Sequence, residues 1–142
     1  GNMCNLKCRM CQPQNSSQIQ KEYSKIEAND PATGKFIKDN FTWGHFADHV
    51  TPWQDDPEFL RQVEDWLPGV NRLYFTGGEP TIMAGTYQLL EEMDRVGNRD
   101  VMISLVTNGT TVQYGKYDLL ELLGRFKDVR IQLSLEGMCA IH

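Results

Sequence analysis

The second half of this chain alternates short apolar runs with amphipathic helical patterns, and this alternation restricts the fold more than any other feature. Three runs rich in β-branched or aromatic residues read RLYF (72–75), VMISLV (101–106) and VRIQLSL (129–135). The middle run is apolar almost throughout, which is typical of a strand covered on both faces. Each run predicts a strand. Right-handed connections through the intervening helices then predict a parallel sheet of the α/β class.

Three helices are predicted around these strands. The first is capped by Asp56, carries Pro57 in its first turn and is ended by LPG at 67–69. The second covers 82–97, with Gly97 as its C-terminal cap, and the third covers 117–126. The apolar positions expected to face the core are Phe59, Leu60, Val63 and Leu67, then Leu89, Leu90, Met93 and Val96, then Leu119, Leu120, Leu123 and Phe126.

The segment between the N-terminal cysteines and the first predicted strand is less regular. SSQIQKEYSKI (16–26) places Ile19, Tyr23 and Ile26 on one face of a short helix. NDPATGK (29–35) is expected to form a turn. From about 30 to 55 the chain is rich in aromatic residues and has no clean period. This indicates either an insertion that covers one mouth of the sheet or an irregular loop packed on it.

Size and charge narrow the class of protein. With 142 residues, of which 40% are apolar, the chain suits one globular domain. Its net charge of −5 gives no general attraction to nucleic acid or anionic lipid, and no apolar stretch approaches the roughly 20 residues that cross a bilayer. We expect a cytoplasmic protein. Both chain ends favour a fragment of a longer protein, and a complete small domain is the alternative.

Three of the four cysteines stand close together near the N-terminus, in CNLKCRMC. Three residues separate Cys4 from Cys8, and two separate Cys8 from Cys11. In a reducing compartment such a cluster favours metal binding over disulfides. Iron–sulfur clusters normally take four cysteines, so three thiolates would leave one iron with an open coordination position. The alternative is a zinc site completed by a fourth ligand, for which the candidates are His45, His49 and Cys139; Cys139 is otherwise expected to be a packing residue or a free thiol.

The cysteines and three later segments together resemble the radical S-adenosylmethionine (radical SAM) enzymes. Cys4-x-x-x-Cys8-x-x-Cys11 is similar to the signature of that family, and GGEP (77–80), TNG (107–109) and SLEG (134–137) follow in the expected order at strand ends. The resemblance is closest to the branch that includes the molybdenum-cofactor cyclase and enzymes with SPASM or twitch extensions. It implies a partial (β/α) barrel, here truncated at both ends, since the strand before the cysteine loop and the last strands are missing.

The resemblance also implies the cofactors and several site residues. The three cysteines are identified as ligands of a [4Fe–4S] cluster, and the strand-end segments as contacts of S-adenosylmethionine. Gly77 and Gly78 let the backbone approach that ligand, and Glu79 accepts hydrogen bonds from its amino group. A structural alternative for Glu79 is a carboxylate favoured by a helix N-terminus.

Four further residues complete the implied cofactor site. Thr107 and Asn108 are expected to bond the carboxylate or ribose of the ligand, and Ser134 its ribose or methionine portion. Met10 stands where the family usually packs an aromatic residue against adenine; it departs from that pattern, although a thioether also packs well on ring faces. The structural alternatives are a simple turn for Asn108, a solvent-facing strand position for Ser134 and loop packing for Met10.

The reaction implied by the resemblance is a reductive cleavage. An electron from a flavodoxin or ferredoxin reaches the cluster, S-adenosylmethionine is split into methionine and a 5′-deoxyadenosyl radical, and the radical abstracts hydrogen from an unidentified peptide or small molecule. No general acid or base is recognisable, so no catalytic side chain is assigned. Two other functions compete with this one: a non-catalytic zinc- or metal-binding module, and a fragment that keeps the fold without catalysing.

Overall fold

The computed structural model of this chain describes residues 3–8, 11–40 and 56–135. It divides into two units. The cysteine unit comprises residues 1–53 and 77–79, and the sheet unit comprises residues 54–76 and 80–142. In chain order the elements are α1 (Ser17–Asn29), α2 (Pro31–Asn40), α3 (Pro57–Glu64), β1 (Arg72–Phe75), α4 (Ala84–Arg95), β2 (Met102–Thr107), β3 (Gln113–Tyr114), β4 (Tyr117–Asp118), α5 (Leu119–Leu123) and β5 (Asp128–Leu133), with short 3-10 turns at Pro13–Asn15, Leu67–Gly69 and Pro80–Ile82.

A parallel sheet of three strands forms the centre of the sheet unit. β2 lies between β1 and β5, and its Ile103 pairs with Leu73 of β1 and Val129 of β5. The predicted α/β class with a parallel sheet is confirmed. The strand bounds differ from the sequence prediction by no more than two residues. The partial barrel stays a prediction.

The core of the sheet unit is one apolar cluster of side chains from the sheet, α4 and α5. Its buried members are Leu67, Tyr87, Leu90, Met93, Val101, Ile103, Leu105, Leu119, Leu122, Leu123 and Phe126. Along β2, burial alternates between fully buried and half-buried residues. One face of the central strand is therefore fully buried and the other is half-buried. The expected cover on both faces is complete on one face only.

The predicted helices of the sheet unit all exist, but two differ in their buried positions. Helix α4 agrees with the prediction, and Gly97 ends it with a φ of +79°. In α5, Leu120 is 55% exposed and Leu122 is buried instead, because Asp118 caps a helix of only five residues in a register that turns Leu120 outward. Helix α3 begins after its Asp56 cap as predicted, yet only Leu67, in the turn that follows, is buried.

A small antiparallel hairpin, β3–β4, is a feature that the sequence did not predict. Gly115 permits its tight turn with a φ of +57°. The hairpin places Tyr114 and Tyr117 against Tyr87, with ring centroids 5.6 and 5.1 Å away. The hydroxyl of Tyr87 donates a hydrogen bond to the carbonyl of Thr81 at 2.8 Å, so this buried polar group is satisfied.

Two helices that pack against each other make up most of the described cysteine unit. The helix predicted over 16–26 is confirmed as α1, although its buried residue is Gln20 and Ile26 is exposed. At Gly34 of α2, an added Cβ would lie 3.0 Å from the Cα of Glu27, which shows how closely the two backbones approach. Of the helices within the described ranges, none is long and apolar enough to span a membrane.

The prediction of a turn over 29–35 is wrong, because most of that stretch is the first part of α2. Asp30 accepts hydrogen bonds from the backbone N–H of Thr33 at 3.2 Å and from its hydroxyl at 2.6 Å. Pro31 then occupies the first helical position, where its fixed φ suits a helix. The same residues that signal a turn therefore start a helix here. The rest of the predicted aromatic insertion, residues 41–55, lies outside the described residues.

Candidate functional site

The first part of the candidate site is the loop that carries Cys4, Cys8 and Cys11. Within the described residues, none of the three is joined in a disulfide; Cys4 is buried, and the other two are half-buried. Within the described ranges, no group of three or more His, Cys, Asp or Glu side chains is arranged to hold a metal ion. The ligand role of the three cysteines therefore stays a prediction. Their donor chemistry fits it, since soft thiol sulfurs are the ligands that iron–sulfur clusters and zinc prefer.

Two adjacent serines shape this loop through hydrogen bonds to its backbone. The hydroxyl of Ser17 accepts from the N–H of Cys4 at 3.3 Å and donates to the Cys4 carbonyl at 3.2 Å. The hydroxyl of Ser16 donates to the carbonyl of Leu6 at 2.8 Å. Ser16 also caps α1 by accepting from the N–H of Ile19 at 3.4 Å. The start of α1 is thus tied directly to the residues around the first cysteine.

Two backbone N–H groups of the loop also donate to cysteines, one to a sulfur and one to a carbonyl. Leu6 donates its N–H to Sγ of Cys4 at 3.5 Å. Hydrogen bonds to sulfur are among the interactions that tune iron–sulfur sites. The N–H of Cys11 donates to the carbonyl of Cys8 at 2.9 Å, which links the backbones of the second and third cysteines.

The segment Gly77–Glu79 belongs to the cysteine unit, although both of its sequence neighbours belong to the sheet unit. The N–H of Glu79 donates to the carbonyl of Met3 at 2.7 Å, so the segment lies beside the start of the cysteine loop. Gly77 has a φ of +117°, a conformation that favours glycine. The side chain of Glu79 is only 1% exposed. The structure therefore brings together two of the segments that the sequence singled out.

A second group of candidate residues lies at the carboxyl ends of β2 and β5 in the sheet unit. The N–H of Ser134 donates to the carbonyl of Thr107 at 2.8 Å, so the two residues are neighbours. Thr107 is buried, and its hydroxyl oxygen accepts from the N–H of Gly109 at 3.1 Å. Ser134 is exposed, in agreement with the alternative of a solvent-facing position. The ligand contacts proposed for Thr107 and Ser134 stay predictions.

The side chain of Asn108 takes part in a local turn. Its Oδ1 accepts from the N–H of Thr110 at 3.0 Å and from the Thr110 hydroxyl at 2.7 Å. This arrangement is typical of asparagine in turns. The turn that was the alternative for Asn108 is therefore present, and a ligand contact through this residue stays a prediction.

Three lysines line one cleft beside the cysteine loop, a grouping that the sequence analysis did not predict. Lys7, between the first two cysteines, forms an ion pair with Glu22 of α1. Lys21 and Lys25 lie on the same helix and share a cleft with Lys7. Their spacing of four residues was the available signal, since it places two side chains on one helical face. Partial burial raises the pKa of Tyr23, on the same helix, above its ordinary value of 10.0.

Several predicted residues lie outside the described residues. They are Met10, expected to pack on adenine, and the alternative zinc ligands His45, His49 and Cys139.

Comparison with known proteins gives one match. Residues 1–140 match the family model described as the radical SAM superfamily. No curated protein and no solved structure gives a significant match to this chain.

Proposed function

We propose that this chain, which belongs to the radical SAM superfamily, acts as the core of a radical SAM enzyme. The observation that carries the proposal is the hydrogen bond from the N–H of Glu79 to the carbonyl of Met3. It sets the paired glycines beside the cysteine loop, as a site that joins a cluster to its ligand requires.

The cysteine loop is the proposed binding segment for a [4Fe–4S] cluster, with Cys4, Cys8 and Cys11 as ligands. The absence of disulfides at the three described cysteines and the N–H of Leu6 directed at Cys4 Sγ support this role. When bound, the cluster and S-adenosylmethionine together supply the reductive carbon–sulfur cleavage and the 5′-deoxyadenosyl radical that abstracts hydrogen from substrate. The protein holds the two groups in place and excludes water.

Residues of each unit are assigned to binding S-adenosylmethionine. The buried carboxylate of Glu79 suits an ammonium group, because charge-assisted hydrogen bonds are strong away from water. Gly77 and Gly78 leave the backbone open to close approach. On the sequence resemblance alone, we assign Thr107, Asn108 and Ser134 to the carboxylate and ribose, and Met10 to the adenine.

We also propose the finer features of the family for this chain. The branch with SPASM- or twitch-type members is proposed because the sequence resemblance is closest to it, and the three parallel strands support part of a (β/α) barrel. The electron donor is proposed to be a flavodoxin or ferredoxin, and the substrate an unidentified peptide or small molecule. A cytoplasmic location belongs to the same proposal.

The test is anaerobic reconstitution with iron and sulfide, followed by dithionite and S-adenosylmethionine. We expect a brown protein that releases 5′-deoxyadenosine. Cys8→Ala is expected to lose both the colour and the product, while the matched variant Cys139→Ala keeps them. Equal loss in the two variants would contradict a three-cysteine site. A colourless protein that binds one zinc ion per chain after the same treatment would favour the alternative, a non-catalytic metal-binding module.

A further inference from the structure

A basic cleft runs along α1 next to the cysteine loop. It has a volume of about 510 Å³, and its lining includes Lys7, Lys21 and Lys25. Glu22 is the acidic side chain among the described residues of the lining, and it already forms an ion pair with Lys7. Three lysines against one glutamate give the cleft a positive charge, although the whole chain carries −5.

Two of these lysines are available to a partner. Lys21 and Lys25 are four residues apart on α1, so they project from the same helical face, and both are exposed. Within the described part of the chain, neither of them forms an ion pair. Single exposed ion pairs contribute little, but several like charges together attract a large surface of opposite charge and speed its association.

The cleft also adjoins the cysteines. Lys7 immediately precedes Cys8 in the sequence. Ser17, another residue of the cleft lining, bonds both the N–H and the carbonyl of Cys4 through its hydroxyl. A protein that docks on the lysines would therefore sit against the backbone of the loop that carries the three thiols.

We propose that this cleft is the docking surface for an acidic electron-carrier protein. The proposal rests on the proposed function, because only a redox site needs such a partner beside its cysteines. Docking itself forms no covalent bond. In the exchange that it would serve, the carrier would give up one electron, and a cluster held by Cys4, Cys8 and Cys11 would accept it.

The first experiment measures binding, which needs no catalytic turnover. A purified acidic flavodoxin is titrated into the full chain by calorimetry at low salt. The double variant Lys21→Glu with Lys25→Glu is expected to weaken the dissociation constant by roughly tenfold or more, because it reverses two charges at the interface. The control, Lys35→Glu with Lys127→Glu, makes the same change in net charge at two exposed lysines outside the cleft. It is expected to bind like the wild type apart from a small general effect of charge.

Zero-length carbodiimide crosslinking gives a second readout of the same contact. Crosslinks between flavodoxin carboxylates and Lys21 or Lys25 are expected, and they should disappear as salt is raised, since screening shortens the reach of exposed charges to about 8 Å at physiological ionic strength. Unchanged affinity in the double variant, or crosslinks only at other lysines, would overturn the assignment. Stronger displacement of flavodoxin by inorganic phosphate than by chloride at equal ionic strength would overturn it too, in favour of a small-anion site.

The second experiment separates this inference from the proposed function. In the reconstituted double variant, 5′-deoxyadenosine formation supported by dithionite is expected to equal that of the wild type, whereas formation supported by reduced flavodoxin falls by roughly tenfold. Loss with both reductants would assign the cleft to the reaction site and overturn the docking role. If the wild type makes no product even with dithionite, the proposed function fails, and the binding measurement alone decides the docking surface.

Discussion

The sheet unit is stabilised by a buried apolar core, whereas the described part of the cysteine unit relies much more on hydrogen bonds. In the sheet unit, Tyr87, Met93 and Ile103 are completely buried and touch other apolar side chains. In the cysteine unit, Ser16 is just as completely buried, and its hydroxyl bonds the backbone on either side of it in the sequence. Apolar contacts do not depend on exact geometry. A buried polar group, by contrast, destabilises the fold once its hydrogen-bond partner is removed. The apolar core thus lies in one unit, and the proposed metal donors lie in the other.

The largest expected effect comes from removing a core side chain of the sheet unit. Leu90→Ala should lower the free energy of unfolding by about 3 kcal/mol, because Leu90 is buried and truncation leaves a cavity. Urea unfolding followed by circular dichroism measures it. The matched variant Leu120→Ala, at an exposed leucine of α5, should stay within about 0.5 kcal/mol of the wild type. Equal losses would show that burial does not distinguish the two positions.

A smaller effect is expected at the carboxyl end of β2. Gly109→Ala should lower the free energy of unfolding by about 2 kcal/mol. The φ of +69° at this position disfavours a side chain, and an added Cβ would lie 3.1 Å from Cδ2 of Leu133. Gly97→Ala has a similar φ of +79° but no atom within 4 Å of the added Cβ, so it should cost only about 1 kcal/mol. The difference between their urea midpoints isolates the contact with Leu133. No difference would mean that Leu133 moves aside freely.

The next prediction concerns the polar contacts of the cysteine unit. Ser16→Ala should lower the free energy of local unfolding at the start of α1 by about 1 kcal/mol. It removes the cap of α1 and the hydrogen bond from the Ser16 hydroxyl to the Leu6 carbonyl. Amide hydrogen exchange at Ile19 should become several-fold faster, while exchange in β2 stays unchanged. Ser24→Ala, which removes a bond to the carbonyl of Gln20 within α1, serves as the control. Faster exchange in both units would contradict the separate stabilisation of the two.

The smallest expected effect is electrostatic and lies at the surface of the sheet unit. The hydrogen bond from Arg99 at 2.7 Å, with a further one from Arg125, holds the pKa of Asp94 below its ordinary value of 3.8. A lowered pKa in the folded state stabilises the protein above the pKa of the unfolded chain, and that stability is lost as the pH falls through the folded pKa. Between pH 6 and pH 3, the wild type should therefore lose slightly more stability than Asp94→Asn.

The expected difference is below about 1 kcal/mol, because ion pairs near the surface are weak. Urea midpoints at the two pH values give the measurement. Asp100→Asn, at a much more exposed carboxylate paired with Lys127, is the control and should change neither midpoint by a detectable amount. A wild type that is less sensitive to acid than Asp94→Asn would reverse the sign and refute the argument.

The sequence predicted the sheet well because its signals are local and strong. The run RLYF predicted β1 with the bounds that are observed, and the position of Gly97 correctly marked the end of α4. The errors arose where one residue type serves two structures. Asp30 and Pro31 are common in turns and at helix starts, and only the packing of α2 on α1 decides between them. The short hairpin β3–β4 has strands too brief to show a period.

The candidate site could be predicted only in part. The spacing of the cysteines and the paired glycines stand out in the sequence, but the serines that tie Cys4 to α1 do not, because their role depends on where the loop lies. For Asn108 and Thr107, the same oxygen atoms suit a turn and a ligand equally well, and sequence alone cannot rank the two uses.

The contact between Met3 and Glu79 has a consequence for how the protein is made. Until Glu79 has been synthesised, the backbone N–H that bonds the carbonyl of Met3 is missing, although the three cysteines precede Glu79 in the sequence. During that interval the nascent thiols are open to oxidation and to unwanted metals. Loading of the proposed cluster should therefore be most faithful after translation has passed Glu79.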